Sequence, residues 1–423
     1  MNSRERVLNA INHKECDRVP IDLGGMRSTG ISVIAYNNLL KYLKINKTPR
    51  MYDFIQQLAY PDNEILDLFK IDAIDASQAF LTSDDSWIKW NVNSELKSYI
   101  PYYLNIEKDK NDTVLLKDKN GFVYGTKPKN SLYVNQTFYV YQNLDKIPDI
   151  IKDEDLKKSM WKLPTTPYHL DIFDEKDFSI FSTGLKEQYE NTDRAVILAS
   201  GCNFFEGGTR IRGMENFLCD IYLDEKGTLR LLDKLVEKYL IFLDRIISKN
   251  KDCIDILMFG GDDLGSQNAP FIPRHVFKKI FTPYYKKIWD FVHDNSSCKV
   301  FLHSCGSIFE LIPELIEAGL DILNPVQTMA ENMDPISLKK EFGKDITFWG
   351  AGVNTRDILP FKSPKEVEED VKKRIEIFSK NGGFVFAPIH NILADVPPEN
   401  IIAAYRAAYV WGNRQGDRDL SEC

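Results

Sequence analysis

The sequence predicts an α/β protein, a (β/α)8 barrel of the TIM type with an inserted β-rich subdomain, and three observations predict it. Six short apolar runs in the second half alternate with longer helical stretches: AVILAS (195–200), DILMFGG (255–261), KVFLHSC (299–305), DILNPVQ (321–327), ITFWGAG (346–352) and FVFAPIH (384–390). Each run is largely apolar and followed by turn residues, the pattern of parallel strands covered on both faces. Two earlier runs, VPID (19–22) and IDAIDAS (71–77), bring the number of candidate strands to eight. A repeated strand–helix unit requires parallel strands joined by right-handed crossovers. An open doubly wound sheet is the alternative.

The helices between these strands carry apolar residues three and four apart. LRLLDKLVEKYLIFLDRIISK (229–249) keeps that period throughout, and PRHVFKKIFTPYYKKIWDFVHD (273–294) contains Pro283, which predicts a kink. FELIPELIEAG (309–319) ends on Gly319. SPKEVEEDVKKRIEIFSKNGG (363–383) opens on Ser-Pro and stops before a glycine pair. One region breaks the rhythm. From about Trp87 to Leu156 the text is rich in tyrosine and lysine, and DTVLLKDKNGFVYGTKP (112–128) reads as a hairpin, 113–117 against 122–126, turning at Lys119-Asn120-Gly121. The segment 88–180 is therefore expected to be an insertion or lid within a single barrel domain spanning 1–423, with a frayed polar tail, RQGDRDLSEC.

Composition excludes several classes. With 54 basic and 62 acidic residues, a net charge of −8, the 423-residue chain has no electrostatic footprint for nucleic acid or an anionic membrane. No run approaches the length of a spanning helix, and the charged start MNSRERVLNAINHKECDR lacks a signal-peptide core. Seven scattered cysteines, Cys423 the last, do not form a disulfide framework. A cytoplasmic globular protein is the expectation.

Catalytic groups of such barrels stand at the carboxyl ends of the strands. Those positions hold Cys202 and Glu206, Asp262 and Asp263, His303 and Cys305, Asn324 and Gln327, and His390 with Asn391. His303 and Cys305 are two apart, so on a strand they face the same way, and an imidazole with a thiolate suits Zn²⁺. His390 is the natural third ligand, with Glu206, Asp262, Asp263 and Cys202 in reserve. Against this, His-x-Cys arises by chance and buried cysteine is often packing. Asp263 and Glu206 suit acid–base work and Asp262 substrate binding, although aspartates there also cap helices. Asn324 and Gln327 suit an amide- or pterin-like ligand, although Asn324-Pro325 also reads as a turn. His13, His169, His275 and His293 have no partners in the text and are expected to be structural or at the surface. Nucleotide loops and the serine-hydrolase elbow are absent.

At these residues the chain resembles the uroporphyrinogen decarboxylase superfamily, and within it the zinc- and methylcobamide-dependent methyltransferases. The matching segments are NSRERVLNAINHKECDRVPIDLGG, FGGDDLGSQNAPFIPRHVFKKIFTPYYKKI, FLHSCGSIFELIPELIEAGLDILNPVQ and GGFVFAPIHNILADVPPENIIAAYRAA. The resemblance implies a (β/α)8 barrel and a His-x-Cys…Cys zinc site that activates an acceptor thiol. His303 and Cys305 match the first two ligands; at the third, Ala387-Pro388-Ile389-His390 replaces the family's cysteine, so the metal set becomes His303, Cys305 and His390. The family's decarboxylases hold substrate carboxylates with an arginine-rich N-terminal segment, and here IDLGGMRSTG offers Arg27 alone. The resemblance thus implies methyl transfer between a corrinoid (cobalamin), carried by a separate small corrinoid-binding protein, and a small thiol, tetrahydrofolate or methyl ether or amine. Rival readings are a decarboxylase, a zinc methyltransferase without corrinoid, and a non-catalytic barrel subunit.

Overall fold

The structure, a computed structural model, describes residues 1–159 and 170–413. His169, Cys423 and the tail 414–423 lie outside the described residues, as does part of the expected insertion. Seven parallel strands form one sheet: β1 (Ala73–Asp75), β2 (Ala195–Gly201), β3 (Ile256–Phe259), β4 (Lys299–His303), β5 (Ile322–Asn324), β6 (Thr347–Ala351) and β7 (Phe384–Ala387), neighbours in chain order. The VPID segment closes the ring. Ile21 bridges Phe386 in parallel, the Phe386 N–H donates to Pro20 O at 2.9 Å, and on the other side the Asp72 N–H donates to Ile21 O at 2.8 Å. The sheet is therefore a closed eight-membered barrel and not an open one.

Side-chain alternation sorts each strand into an inner and an outer face. Ile197, Ile256, Met258, Phe301, Ile322, Trp349 and Val385 fill the interior, while Val196, Leu198, Leu257, Leu302, Leu323 and Phe348 point out to the helices. Helix α1 (Ser3–Ile11) inserts Val7, Ala10 and Ile11 into the same inner cluster, so it plugs the amino-terminal end of the barrel. It begins with a capping box in which Asn2 and Glu5 satisfy each other's main-chain N–H groups. A partly buried ion network of Arg6, Asp17, Asp72 and Arg18, centred on the fully buried Asp72, locks this end.

Four outer helices bear on the site. α2 (Phe205–Arg212) follows β2, and α3 (Glu225–Asn250) covers the barrel with an apolar stripe from Leu231 to Ile247. The stretch expected as one kinked helix is two, α4 (Arg274–Ile280) and α5 (Thr282–Asn295), broken at Phe281 with Pro283 in the first turn of α5. A proline there gives up an N–H that a helix start leaves unpaired anyway.

Between β1 and β2 the chain forms antiparallel sheets. Trp87–Asn91 pairs with Lys97–Pro101, and Val114–Lys117 pairs with Val123–Lys127 across Lys119-Asn120-Gly121. The strap that follows is fastened to α2: the buried Arg212 guanidinium donates to the carbonyls of Tyr141 and Leu144 and pairs with Asp220. No helix of the described residues is long and apolar enough to cross a membrane.

Candidate metal centre

Phe301 and Ile322 face the barrel interior, so the next inward positions along β4 and β5 belong to His303 and Asn324. The two residues are register partners, and both are buried. Asn324 Oδ1 lies 2.5 Å from His303 Nδ1, and Asn324 Nδ2 donates to the Trp349 carbonyl at 2.8 Å. A carbonyl can only accept, so the amide nitrogen belongs on that side and its oxygen faces the imidazole. In the neutral ring the proton then sits on His303 Nδ1 and Nε2 is the free nitrogen. That free nitrogen is 3.4 Å from Cys305 Sγ.

Strand alternation does not by itself place Cys305, because β4 ends at His303. The half-buried cysteine stands in the loop beyond, where its N–H donates to Asp263 Oδ1 at 2.8 Å. The next residue, Gly306, has φ 93°, and a Cβ there would meet the Gly265 carbonyl oxygen at 2.0 Å, so two loops cross too closely for any side chain. His390 likewise does not end β7 but follows it by a few residues, in a left-handed conformation with φ 72°. Its ring meets the His303 ring edge to face, with centroids 5.3 Å apart, and burial pushes its imidazole well below the usual range. His303, Cys305 and His390 each offer a ligand atom, all within 4.8 Å of one another. The Asn391 N–H donates to His390 Nδ1 at 2.8 Å, so an ion taken at Nδ1 displaces that bond.

The carboxylates divide into two roles. Asp262 was expected at the substrate; it is fully buried and accepts from the N–H groups of Phe204, Phe205 and Glu206 and from the Tyr285 hydroxyl. It anchors the amino end of α2, and burial pushes its pKa up to about 7 against those donors. Asp263, more exposed, stands 3.7 Å from His303 Nε2. Glu206 lies in the first turn of α2 beside Asp263, paired with Arg210; burial raises its pKa, Arg210 opposes that rise and Asp263 adds to it. Burial, followed by the charge of Asp263, pushes the Cys305 thiol well above the ordinary value. Gln327 accepts the Gly306 N–H through Oε1 at 2.8 Å and so supports the loop after Cys305. Asn324, also expected at the substrate, spends both its amide atoms on protein. Cys202 is buried core, its thiol donating to Ser200 O.

Sequence reading missed three partners. Arg210 was visible as an i,i+4 partner of Glu206. Ser28, whose hydroxyl donates to Asn324 Oδ1 at 3.2 Å, carries no local signal, nor does the ion pair of Arg27 with Asp53 at 2.8 Å.

A family model described as uroporphyrinogen decarboxylase (URO-D) matches residues 201–411, a span that includes every residue of this cluster. The chain belongs to the uroporphyrinogen decarboxylase superfamily. A uroporphyrinogen decarboxylase of Vesicomyosocius okutanii subsp. Calyptogena okutanii is 23% identical over 196 residues, covering 46% of this chain and 52% of that one. The match thus spans about half the length of that curated relative. A methyltransferase from Methanosarcina mazei shares the fold, with a TM-score of 0.57 over 96% of this chain and 98% of that one at 13% identity. The superfamily's barrel accounts for the strand order and for a site at the carboxyl ends of the strands.

Proposed function

We propose that this chain is a zinc-dependent, corrinoid-linked methyltransferase working in the cytoplasm. It would move a methyl group between a corrinoid on a separate small protein and a small thiol, tetrahydrofolate, or methyl ether or amine. One observation carries the reading: two imidazoles and a thiol, those of His303, His390 and Cys305, converge at the barrel mouth. Two nitrogens and one sulfur suit zinc and leave a coordination position open. Bound there, zinc supplies Lewis acidity toward the heteroatom that gains or loses the methyl group. His303, Cys305 and His390 hold the metal; Asp263 fixes the Cys305 main chain; Glu206, held by Arg210 and raised by burial, gives or takes a proton beside them. The activity of the Methanosarcina mazei relative agrees with this reading.

A decarboxylase of this superfamily needs cationic anchors for substrate carboxylates. Arg27 is bound to the buried Asp53, which argues against that chemistry. The deciding experiment is the metal content of protein purified without chelator, followed by the absorbance change on mixing with methylcobalamin and a thiol or with cob(I)alamin and a methyl donor. About one zinc per chain and a spectral change support the proposal. Metal-free protein after metal-replete purification overturns it and returns the decarboxylase and non-catalytic readings.

A further inference from the structure

We infer that Asn324 is the positioning residue of this centre: it fixes the ring orientation and tautomer of His303 that leave Nε2 free to ligate. The inference rests on the metal reading above and goes beyond it, because it concerns a residue that touches neither metal nor substrate. Asn324 is fully buried, and its two amide atoms are committed in opposite directions. Nδ2 is held by the Trp349 carbonyl at 2.8 Å, while Oδ1 receives His303 Nδ1–H at 2.5 Å and the Ser28 hydroxyl at 3.2 Å. Both amide atoms are engaged by protein and the residue has no exposed surface, so it supports the site from behind. The Trp349 carbonyl is main chain of β6, and the indole of the same residue is held in turn by the buried Asp22, to which its N–H donates at 2.7 Å. Ser28 approaches from the loop after residues 19–22, next to the Arg27–Asp53 pair. The orientation of one imidazole is thus over-determined by β5, β6 and the first loop of the barrel. Partners of this kind fix the tautomer of a ligating histidine and raise its basicity.

The test is zinc affinity by competition with a chromogenic chelator, read on wild type, Asn324→Ala and Asn324→Asp. Removing the acceptor is expected to weaken zinc binding about 10–100-fold, the usual cost of losing such a partner. Asn324→Asp, which keeps an oxygen toward Nδ1, is expected to recover much of that loss. Alanine binding zinc as tightly as wild type overturns the inference. A second readout needs no variant: long-range ¹⁵N–¹H spectra of metal-free wild type should show His303 protonated at Nδ1 and bare at Nε2. The opposite tautomer overturns the inference even if every variant fails to fold. Wild type that binds no zinc overturns the metal reading instead, and the tautomer spectrum then decides this inference alone.

Discussion

Asp263 Oδ1 accepts the Cys305 N–H at 2.8 Å, and the same carboxylate opposes ionisation of the Cys305 thiol. One side chain therefore orders the loop that presents the sulfur and adds to burial, the larger cause, in raising the pKa of that thiol. Asp263→Asn keeps an oxygen for the N–H and removes the charge. In metal-free protein Cys305 should then react several-fold faster with iodoacetamide at pH 8, because only the thiolate is alkylated. An unchanged or slower rate, followed by mass spectrometry of the Cys305 peptide, refutes the electrostatic coupling.

Cys305→Ala removes the one sulfur of the cluster. Zinc per chain should drop from about one to a small fraction, while far-UV circular dichroism and thermal midpoint stay near wild type, since the barrel interior is held by Phe301, Ile322, Trp349 and their neighbours. His390→Cys should keep its zinc. Retention of full metal by the alanine variant removes Cys305 from the ligand set.

The buried Asp22 accepts from the Trp349 indole and from the Gly25 N–H, and burial raises its pKa to about 6. A folded-state value above the ordinary carboxylate value means that the folded protein binds the proton more tightly than the unfolded chain. The stability owed to this group is complete below about pH 4 and is lost as pH rises through about 6, a change on the order of 3 kcal/mol. Asp22→Asn should cost about 1–3 kcal/mol at low pH, where an acceptor is lost. The gap from wild type should narrow between pH 4 and 7 in urea titrations, and a gap that stays constant contradicts the assignment.

Gly306→Ala should be among the most damaging single-methyl additions in the chain. The added Cβ meets the Gly265 carbonyl oxygen, and φ of 93° is a strained conformation for alanine, so a loss above about 2 kcal/mol is expected. Because the loop holding Cys305 must move, zinc affinity should fall together with the thermal midpoint. A variant with wild-type midpoint and metal shows that the two loops part easily.

The barrel and the cluster were legible for one reason: short, largely apolar runs ending in His303, or shortly before Cys305 and His390, are local features of the sequence. The VPID segment was legible too, although its pairing with Phe386 spans nearly the whole chain. The roles of Asp262 and Asn324 were not. Both stand where substrate-binding residues stand, and only the tertiary structure shows that Asp262 meets the main chain of α2 and that Asn324 meets His303 and Trp349. The break at Phe281 was misplaced by two residues because proline is tolerated in a first turn, so the helix ends before it and not at it.

The ring closed by Ile21 against Phe386, with α1 inserted at its base, also sets an order of events during synthesis. The first strand and the plug leave the ribosome long before β7 exists. Val7, Ile11 and Ile21 can meet β1 and β2 earlier, but they are fully enclosed only once β7 has been made. Local strand–helix units can form early, but the seam joins segments from opposite ends of the sequence and waits for both. His390 lies just beyond that seam, so the three-residue cluster is assembled in the same late step that closes the wall behind it.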